Sequence, residues 1–285
     1  MASGGQKADV TVGVLALQGA FSEHVQLLRQ AAQILDSKDA VKRHWAFLEV
    51  RTPAELASCD ALIIPGGEST TMSLVAQRSQ MLEPLRDFVK VLRKPTWGTC
   101  AGLILLAESA NRTKQGGQEL IGGLDVRVNR NHFGRQIESF QANLDLPFLK
   151  QADGKDFDTT QQPFRAIFIR APIVEKLLPR VAGPQEGEAK VEGTVVAPSR
   201  PIDEQVAKSV KLGDVEVMGI LPGRSAALKD DATKEKLDAE AGDIIAVRQA
   251  NVFGTSFHPE LTGDPRIHVW WLEQVRQWTE GAVHP

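Results

Sequence analysis

The stretch K-P-T-W-G-T-C-A-G-L-I-L-L-A-E-S, Lys94 to Ser109, sets a cysteine between two glycines, with a short apolar run before it and a longer one after. A strand ending at Cys100 and a helix beginning at Ala101 account for the glycines. A chain that turns straight from strand into helix crowds its own backbone, and residues without Cβ relieve the clash. P-T-W-G-T-C is therefore expected as a strand and A-G-L-I-L-L-A-E-S-A as a helix.

The same alternation extends outward from this turn. V-T-V-G-V-L-A-L-Q-G (Val10–Gly19) is a continuous apolar run closing on glycine, the pattern of a strand buried on both faces. Val25, Leu27, Leu28, Ala32 and Leu35 then recur near helical spacing. H-W-A-F-L-E-V-R-T reads as a second strand and D-A-L-I-I-P-G-G as a third. T-M-S-L-V-A-Q-R-S-Q-M-L-E-P-L-R-D-F-V-K-V-L reads as one helix or two, interrupted near Pro84. Shorter strands follow in L-D-V-R-V-N-R-N, F-Q-A-N-L-D-L, R-A-I-F-I-R-A-P, V-E-V-M-G-I-L, D-I-I-A-V-R-Q-A-N and V-F-G-T-S-F-H-P-E-L. A closing helix, P-R-I-H-V-W-W-L-E-Q-V-R-Q-W-T-E, offers Ile267, Trp270, Trp271, Leu272 and Trp278 to the core. Strands alternating with helices predict an α/β fold: one domain over 10–285, a mainly parallel twisted sheet with helices on both faces. Residues 1–9 read as a disordered lead-in. The polar segments 150–163, 183–205 and 223–243 read as surface insertions, because strand patterns resume after each.

The 285 residues are 42% hydrophobic, enough for one large core. A net charge of −3 and a pI near 6.1 give no electrostatic ground for nucleic acid or an anionic membrane. No apolar run reaches the roughly 18 residues of a membrane span. With two cysteines and no apolar signal region at the start, the expected setting is cytoplasmic, with both thiols reduced.

G-T-C-A-G has the form of the nucleophile elbow G-x-S-x-G with cysteine in place of serine. The helix that starts there favours an anion near the sulfur. The Ala101 amide is placed for an oxyanion on a group bonded to that sulfur. The competing reading is a small buried cysteine ahead of a core helix, the commoner use of the residue. A base is available in G-T-S-F-H-P-E, where His258 and Glu260 share a face if the segment is extended. Glu260 would then accept from one imidazole nitrogen and leave the other for the thiol proton. A strand ending in a surface turn explains the same letters. A zinc site of Cys100, His258 and Glu260 lacks closely spaced ligand pairs, so no metal is expected.

Among the other histidines, His24 and His132 lie beside glycine-containing motifs, and a structural role is the leading reading for both. His44, His268 and His284 are expected to be solvated or interfacial, and Cys59 to be core. P-G-G-E-S-T (Pro65–Thr70) exposes amides before a helix but lacks the G-K-[S/T] ending of a phosphate loop. Arg127, Arg130 and Arg170 stand at strand ends, where a bidentate carboxylate contact and plain surface charge are equally good accounts.

P-G-G-E-S-T, G-T-C-A-G and S-F-H-P-E-L, in that order, resemble the class I (triad) glutamine amidotransferases. V-G-V-L-A-L-Q-G-A-F-S-E-H, L-I-I-P-G-G-E-S-T-T-M, R-N-H-F-G-R-Q-I-E-S-F-Q-A, F-I-R-A-P and G-T-S-F-H-P-E-L-T are similar to one branch, the glutaminase subunits of pyridoxal 5′-phosphate synthase. The resemblance implies Cys100 as nucleophile, His258 as base and acid, and Glu260 as its orienting carboxylate. It implies an oxyanion hole from the amides of Gly67 and Ala101. Contacts to L-glutamine would come from Gly66, Gly67, Glu68, Arg130, Ile169 and Arg170. It further implies no cofactor, and a synthase subunit as partner that receives the ammonia, with Gln18 and His24 facing it. An independent γ-glutamyl hydrolase and a catalytically silent regulatory subunit are the alternatives on the same fold.

Overall fold

The computed structural model describes residues 9–38, 43–112, 118–130, 139–151, 162–181, 183–222 and 243–281. Residues 1–8 of the lead-in, most of 150–163 and of 223–243, His132 and His284 lie outside the described residues.

The first half alternates as its sequence predicts. Strand β1 (Val10–Leu15) leads to α1 (Phe21–Lys38), then β2 (Trp45–Val50), α2 (Pro53–Ala57), β3 (Ala61–Ile64), α3 (Ser69–Arg78), α4 (Leu82–Arg86) and β4 (Thr96–Thr99). Helix α2 begins with a capping box, in which Thr52 and Glu55 each bond the other's backbone amide. The break between α3 and α4 falls at Ser79–Met81 rather than at Pro84. Pro84 sits in the first turn of α4, where a missing N–H costs nothing.

Helix α5 (Ala101–Leu106) is shorter than expected: the chain becomes strand β5 (Ala107–Asn111) where the sequence suggested more helix. The remaining strands are β6 (Leu124–Asn129), β7 (Ser139–Leu144), β8 (Phe164–Ile169), β9 (Ile173–Leu177), β10 (Thr194–Val196), β11 (Glu216–Leu221), β12 (Asp243–Gln249) and β13 (Val252–Thr255). Among them lie α6 (Pro147–Gln151), α7 (Glu186–Ala189) and α8 (Val206–Ser209), and α9 (Arg266–Gly281) closes the chain. The main sheet runs β10-β5-β6-β9-β12-β13-β4-β3-β1-β2, with β11 added beside β12; β7 and β8 form a separate antiparallel pair. From β13 to β2 every neighbouring pair is parallel, while β12 and β9 bring antiparallel pairings into the other half.

The alternation along β3 divides the core. Leu62 and Ile64 face one side, with Leu56, Met72, Leu85 and Leu103. Ala61 and Ile63 face the other, with Val25 and Leu28 of α1 and Trp271 and Leu272 of α9. Each such fully buried aliphatic side chain contributes roughly 1.5–3 kcal/mol. Ile267, Trp270, Trp271 and Leu272 are core as expected. Segment 183–205 is not all surface: β10 pairs with β5, and buried Glu188 accepts from Arg127 Nη1 at 2.7 Å and from Ser109 at 2.9 Å. Arg127 is thereby a structural cation.

Candidate active site

The site forms where three neighbouring parallel strands end. Register pairs Ile64 of β3 with Gly98 of β4, and Gly98 with Gly254 of β13. The segments that follow, Pro65–Glu68, Cys100–Ala101 and Ser256–Glu260, therefore emerge side by side. This is the edge where α/β sheets bind ligands.

Cys100 occupies the turn between β4 and α5 with φ +48°, a left-handed conformation that an L-residue adopts only under constraint. Its amide donates to Thr255 O at 2.7 Å, which ties the turn to β13. The flanking glycines are needed for space. A Cβ on Gly102 would lie 2.9 Å from the carbonyl carbon of Ile64 and closer still to its oxygen; one on Gly98 would lie 2.5 Å from the carbonyl carbon of Gly102. Helix α5 thus sits directly on the strands, and its first amide, Ala101, stands next to the sulfur. Helices leave that amide without an internal partner.

His258 is reached through a turn, not the extended segment the sequence suggested. Strand β13 stops at Thr255, and Pro259–Leu261 forms a 3₁₀ turn. The turn still places His258 Nδ1 2.8 Å from Glu260 Oε1. The ring lies against Gly66, where any Cβ would fall 2.7 Å from Nδ1 and nearer to Cε1. Burial lowers the His258 pKa, but hydrogen bonds with Cys100 and Glu260 and their charges outweigh it and raise the pKa to about 10. The ring therefore keeps its proton through the neutral range. Burial pushes the Glu260 carboxyl up, while His24 and His258 act against it and leave its pKa below the usual range. Cys100, His258 and Glu260 are 6%, 7% and 4% exposed, so the thiol, base and carboxylate meet away from bulk water.

Of the remaining expected residues, Gly66 reaches His258 and Ile169 reaches Cys100 directly. Gly66 O accepts from Ala20 N at 3.3 Å, and Gln18 Oε1 accepts from Glu68 N at 2.8 Å; the segment before α1 therefore supports the loop. Glu68 caps α3, its carboxylate accepting from Thr70 N at 3.0 Å and Thr71 N at 2.7 Å. At the end of β8, Ile169 O lies 3.9 Å from Cys100 Sγ, and Arg170 is exposed with φ +45°. Arg130 is 7% exposed, which rules out plain surface charge. Its Nη1 donates to Gln118 Oε1, which also accepts from Thr70 Oγ1 at 3.1 Å. Its Nε and Nη2 are buried with no partner among the described residues. Burial lowers its pKa to about 10, against the pull of Glu68. Two unpaired guanidinium donors in such a place fit an incoming carboxylate.

The sequence reading missed two supports. Gln118 has no motif around it. His268, expected at a solvated or interfacial position, is 0% exposed and lies 2.9 Å from His24 behind Glu260. His24 is 0% exposed too, in keeping with the structural role read for it and not with a place facing the partner. His268 went unseen because its partner is 244 residues away and its own neighbours read as an apolar helix face.

The chain matches the model of the SNO glutamine amidotransferase family over residues 14–210 and 216–277. It belongs to that family. It is 38% identical over 273 residues to the probable pyridoxal 5′-phosphate synthase subunit PDX2 of Arabidopsis thaliana, covering 96% of this chain and 89% of that one. It is 38% identical to pyridoxal 5′-phosphate synthase subunit PdxT of Streptomyces avermitilis, covering 93% and 94% of the two chains. A relative from Dictyostelium discoideum, a probable pyridoxal 5′-phosphate synthase subunit, is 33% identical over 95% of this chain. A crystal structure of a glutamine amidotransferase superposes with a TM-score of 0.56 at 30% identity, covering 93% of this chain and 98% of that one. Family membership and this structural likeness bear out the α/β fold read from the alternating strands and helices. No helix among the described residues is long and apolar enough to cross a membrane.

Proposed function

We propose that this chain is the glutaminase subunit of a pyridoxal 5′-phosphate synthase. It hydrolyses L-glutamine to glutamate and ammonia and passes the ammonia to the synthase subunit, in the cytoplasm. The observation that carries the reading is the buried Cys100–His258–Glu260 cluster at strand ends, in a chain of the glutamine amidotransferase family.

In this reading Cys100 Sγ adds to the side-chain amide carbon of glutamine, and the carbonyl oxygen becomes an oxyanion held by the Gly67 and Ala101 amides. His258 gives its proton to the nitrogen as the C–N bond breaks, and ammonia leaves. A γ-glutamyl thioester remains. His258, now neutral, takes a proton from water, whose oxygen attacks the thioester; the C–S bond breaks and glutamate departs. The unpaired Arg130 donors fit the α-carboxylate. Gly66, Glu68, Ile169 and Arg170 complete the pocket. Glu68 does so through its backbone, since its carboxylate is committed to α3. At neutral pH most free ammonia would be captured as ammonium, which makes a docked acceptor subunit the natural consumer.

Ammonia and glutamate release from glutamine by the purified chain, with and without its synthase subunit, tests the reading. Release that depends on the synthase is expected. Equal release without it would favour a free-standing γ-glutamyl hydrolase, and none in either case, with binding confirmed, would leave a silent regulatory subunit.

The pH dependence follows from the His258 environment. The ring must carry a proton to release ammonia, so activity falls as pH rises through its raised pKa of about 10. Glu260→Gln keeps an acceptor for Nδ1 but removes the charge that helps raise this value. The alkaline limb of kcat/KM for the complex should then move down by about 1–3 pH units. An unmoved limb would mean that Glu260 does not set the charge state of His258.

A further inference from the structure

Behind the triad the buried contacts continue. Glu260 uses Oε1 for His258, and its Oε2 faces His24 Nε2 at 3.4 Å, with both side chains fully buried. This contact is not a hydrogen bond by its geometry: Oε2 has no hydrogen-bond partner among the described residues, and what reaches it is the N–H dipole of the ring. His24 Nε2 also lies 3.3 Å from Thr99 Oγ1, and its Nδ1 lies 2.9 Å from His268 Nε2. His268 Nδ1 is buried and unpartnered among the described residues. Trp97 closes the group, its ring centre 5.5 Å from that of His24 and 4.9 Å from that of His268.

One proton arrangement suits these contacts best. A carboxylate oxygen can only accept, and the Thr99 hydroxyl can accept or donate. Both contacts of Nε2 are therefore served when His24 carries its proton there, hydrogen-bonded to Thr99 Oγ1 with its dipole toward Glu260. Its Nδ1 is then a lone pair and must receive a proton from His268 Nε2. The open position left over is the His268 Nδ1 lone pair. The opposite arrangement would set a lone pair against the carboxylate and leave an N–H of His268 buried without an acceptor, which is worse on both counts. Burial holds both rings neutral, with pKa values lowered to about 3, so the contact to Glu260 is an N–H dipole on a carboxylate and not an ion pair.

We propose that His24 and His268 are positioning residues for the amide-cleaving triad: His24 fixes the second oxygen of Glu260, and His268 locks His24 in the tautomer that does so. The role rests on the triad assignment above. Glu260 is thereby engaged at both oxygens, by a hydrogen bond with His258 on one side and by the His24 N–H dipole on the other, which opposes its rotation away from the base it orients. The anchor is helical: His24 lies in the first turn of α1 and His268 in the first turn of α9. The titratable groups facing it are Glu260, His258 and each other.

The test compares His24→Gln, whose amide can still donate, with His24→Met, which has similar length and no strong donor. The first readout is the pH profile of Cys100 alkylation by iodoacetamide, followed by the mass of the Cys100 peptide. This needs no glutamine turnover. Cys59 should stay silent, because it is buried and its pKa is raised to about 11. The second readout is kcat and KM for glutamine with the synthase subunit bound. His24→Met should slow alkylation near pH 6.5 and lower kcat, each by about 10- to 100-fold, with KM within about twofold. His24→Gln should recover most of both. If His24→Met does not fold, His268→Gln against His268→Met makes the same comparison one contact further out. Alkylation and kcat within twofold of the unaltered protein in the folded Met variants would overturn the proposal. So would equal losses in the Gln and Met variants. Absence of glutamine hydrolysis by the unaltered complex would count against the functional reading alone, because the alkylation profiles would still decide the positioning role.

Discussion

Replacing Cys100 by alanine will abolish ammonia release from glutamine, with a loss on the order of 10⁴–10⁶ in kcat, while the fold and binding to the synthase subunit persist. The magnitude follows from how triads behave: without the nucleophile, the base and oxyanion donors have no covalent intermediate to serve. The fold survives because the change only removes a sulfur. The backbone at Cys100 is held by its amide bond to Thr255 O, which alanine keeps. Alanine tolerates φ +48° no worse than cysteine does. His258→Ala should cost nearly as much, and Glu260→Gln less, since His258 remains present and partly oriented. Coupled measurements of glutamate production and complex formation check this; substantial turnover by the Cys100 variant would end the thioester mechanism.

Replacing Gly102 by alanine will damage the scaffold itself. The new Cβ would lie 2.9 Å from the Ile64 carbonyl carbon and press on its oxygen, atoms of a central strand that cannot rotate aside. Helix α5 would have to move by roughly 1 Å to reach an ordinary C···O separation. A forced shift of this kind in a closely packed interior costs about 3 kcal/mol or somewhat more. For a domain of this size that corresponds to a Tm lower by about 6–12 °C. The movement also carries Ala101 and the Cys100 turn away from β3, so glutaminase activity falls in whatever protein stays folded. Gly187→Ala is the matched control, because no atom lies within 4 Å of its Cβ position. Equal melting temperatures for Gly102→Ala and Gly187→Ala would contradict this account.

What the sequence disclosed and what it hid follow one physical distinction. The elbow was legible because its cause is local: glycines on both sides of one residue at a strand-to-helix turn. The parallel half was legible because buried strands are written as unbroken apolar runs. The end of α5 was not, since L-I-L-L-A-E-S-A contains no helix breaker. There pairing with β6 decides, together with Glu108, which accepts from Gly123 N at 2.8 Å and meets Lys90 at 2.7 Å. Strand β10 was hidden for a similar reason, inside a polar segment whose buried Glu188 meets Arg127 across the sheet edge. Arg130 gave equal support to two readings until its burial was known. The His24–His268 pair depends on two helices meeting, and no local pattern encodes that.

The ending of three adjacent parallel strands at one edge has a consequence for how this chain can vary. Neighbouring strands stand about 4.8 Å apart wherever a sheet forms. The lateral offsets between the Gly66 loop, Cys100 and Ser256–His258 are therefore set by backbone hydrogen bonding. Connection length elsewhere does not enter them. Residues 152–161 between α6 and β8, or 223–242 between β11 and β12, can lengthen or shorten without changing that spacing. The catalytic geometry is in this sense insulated from drift in the polar segments, which leaves those segments free to acquire duties of their own.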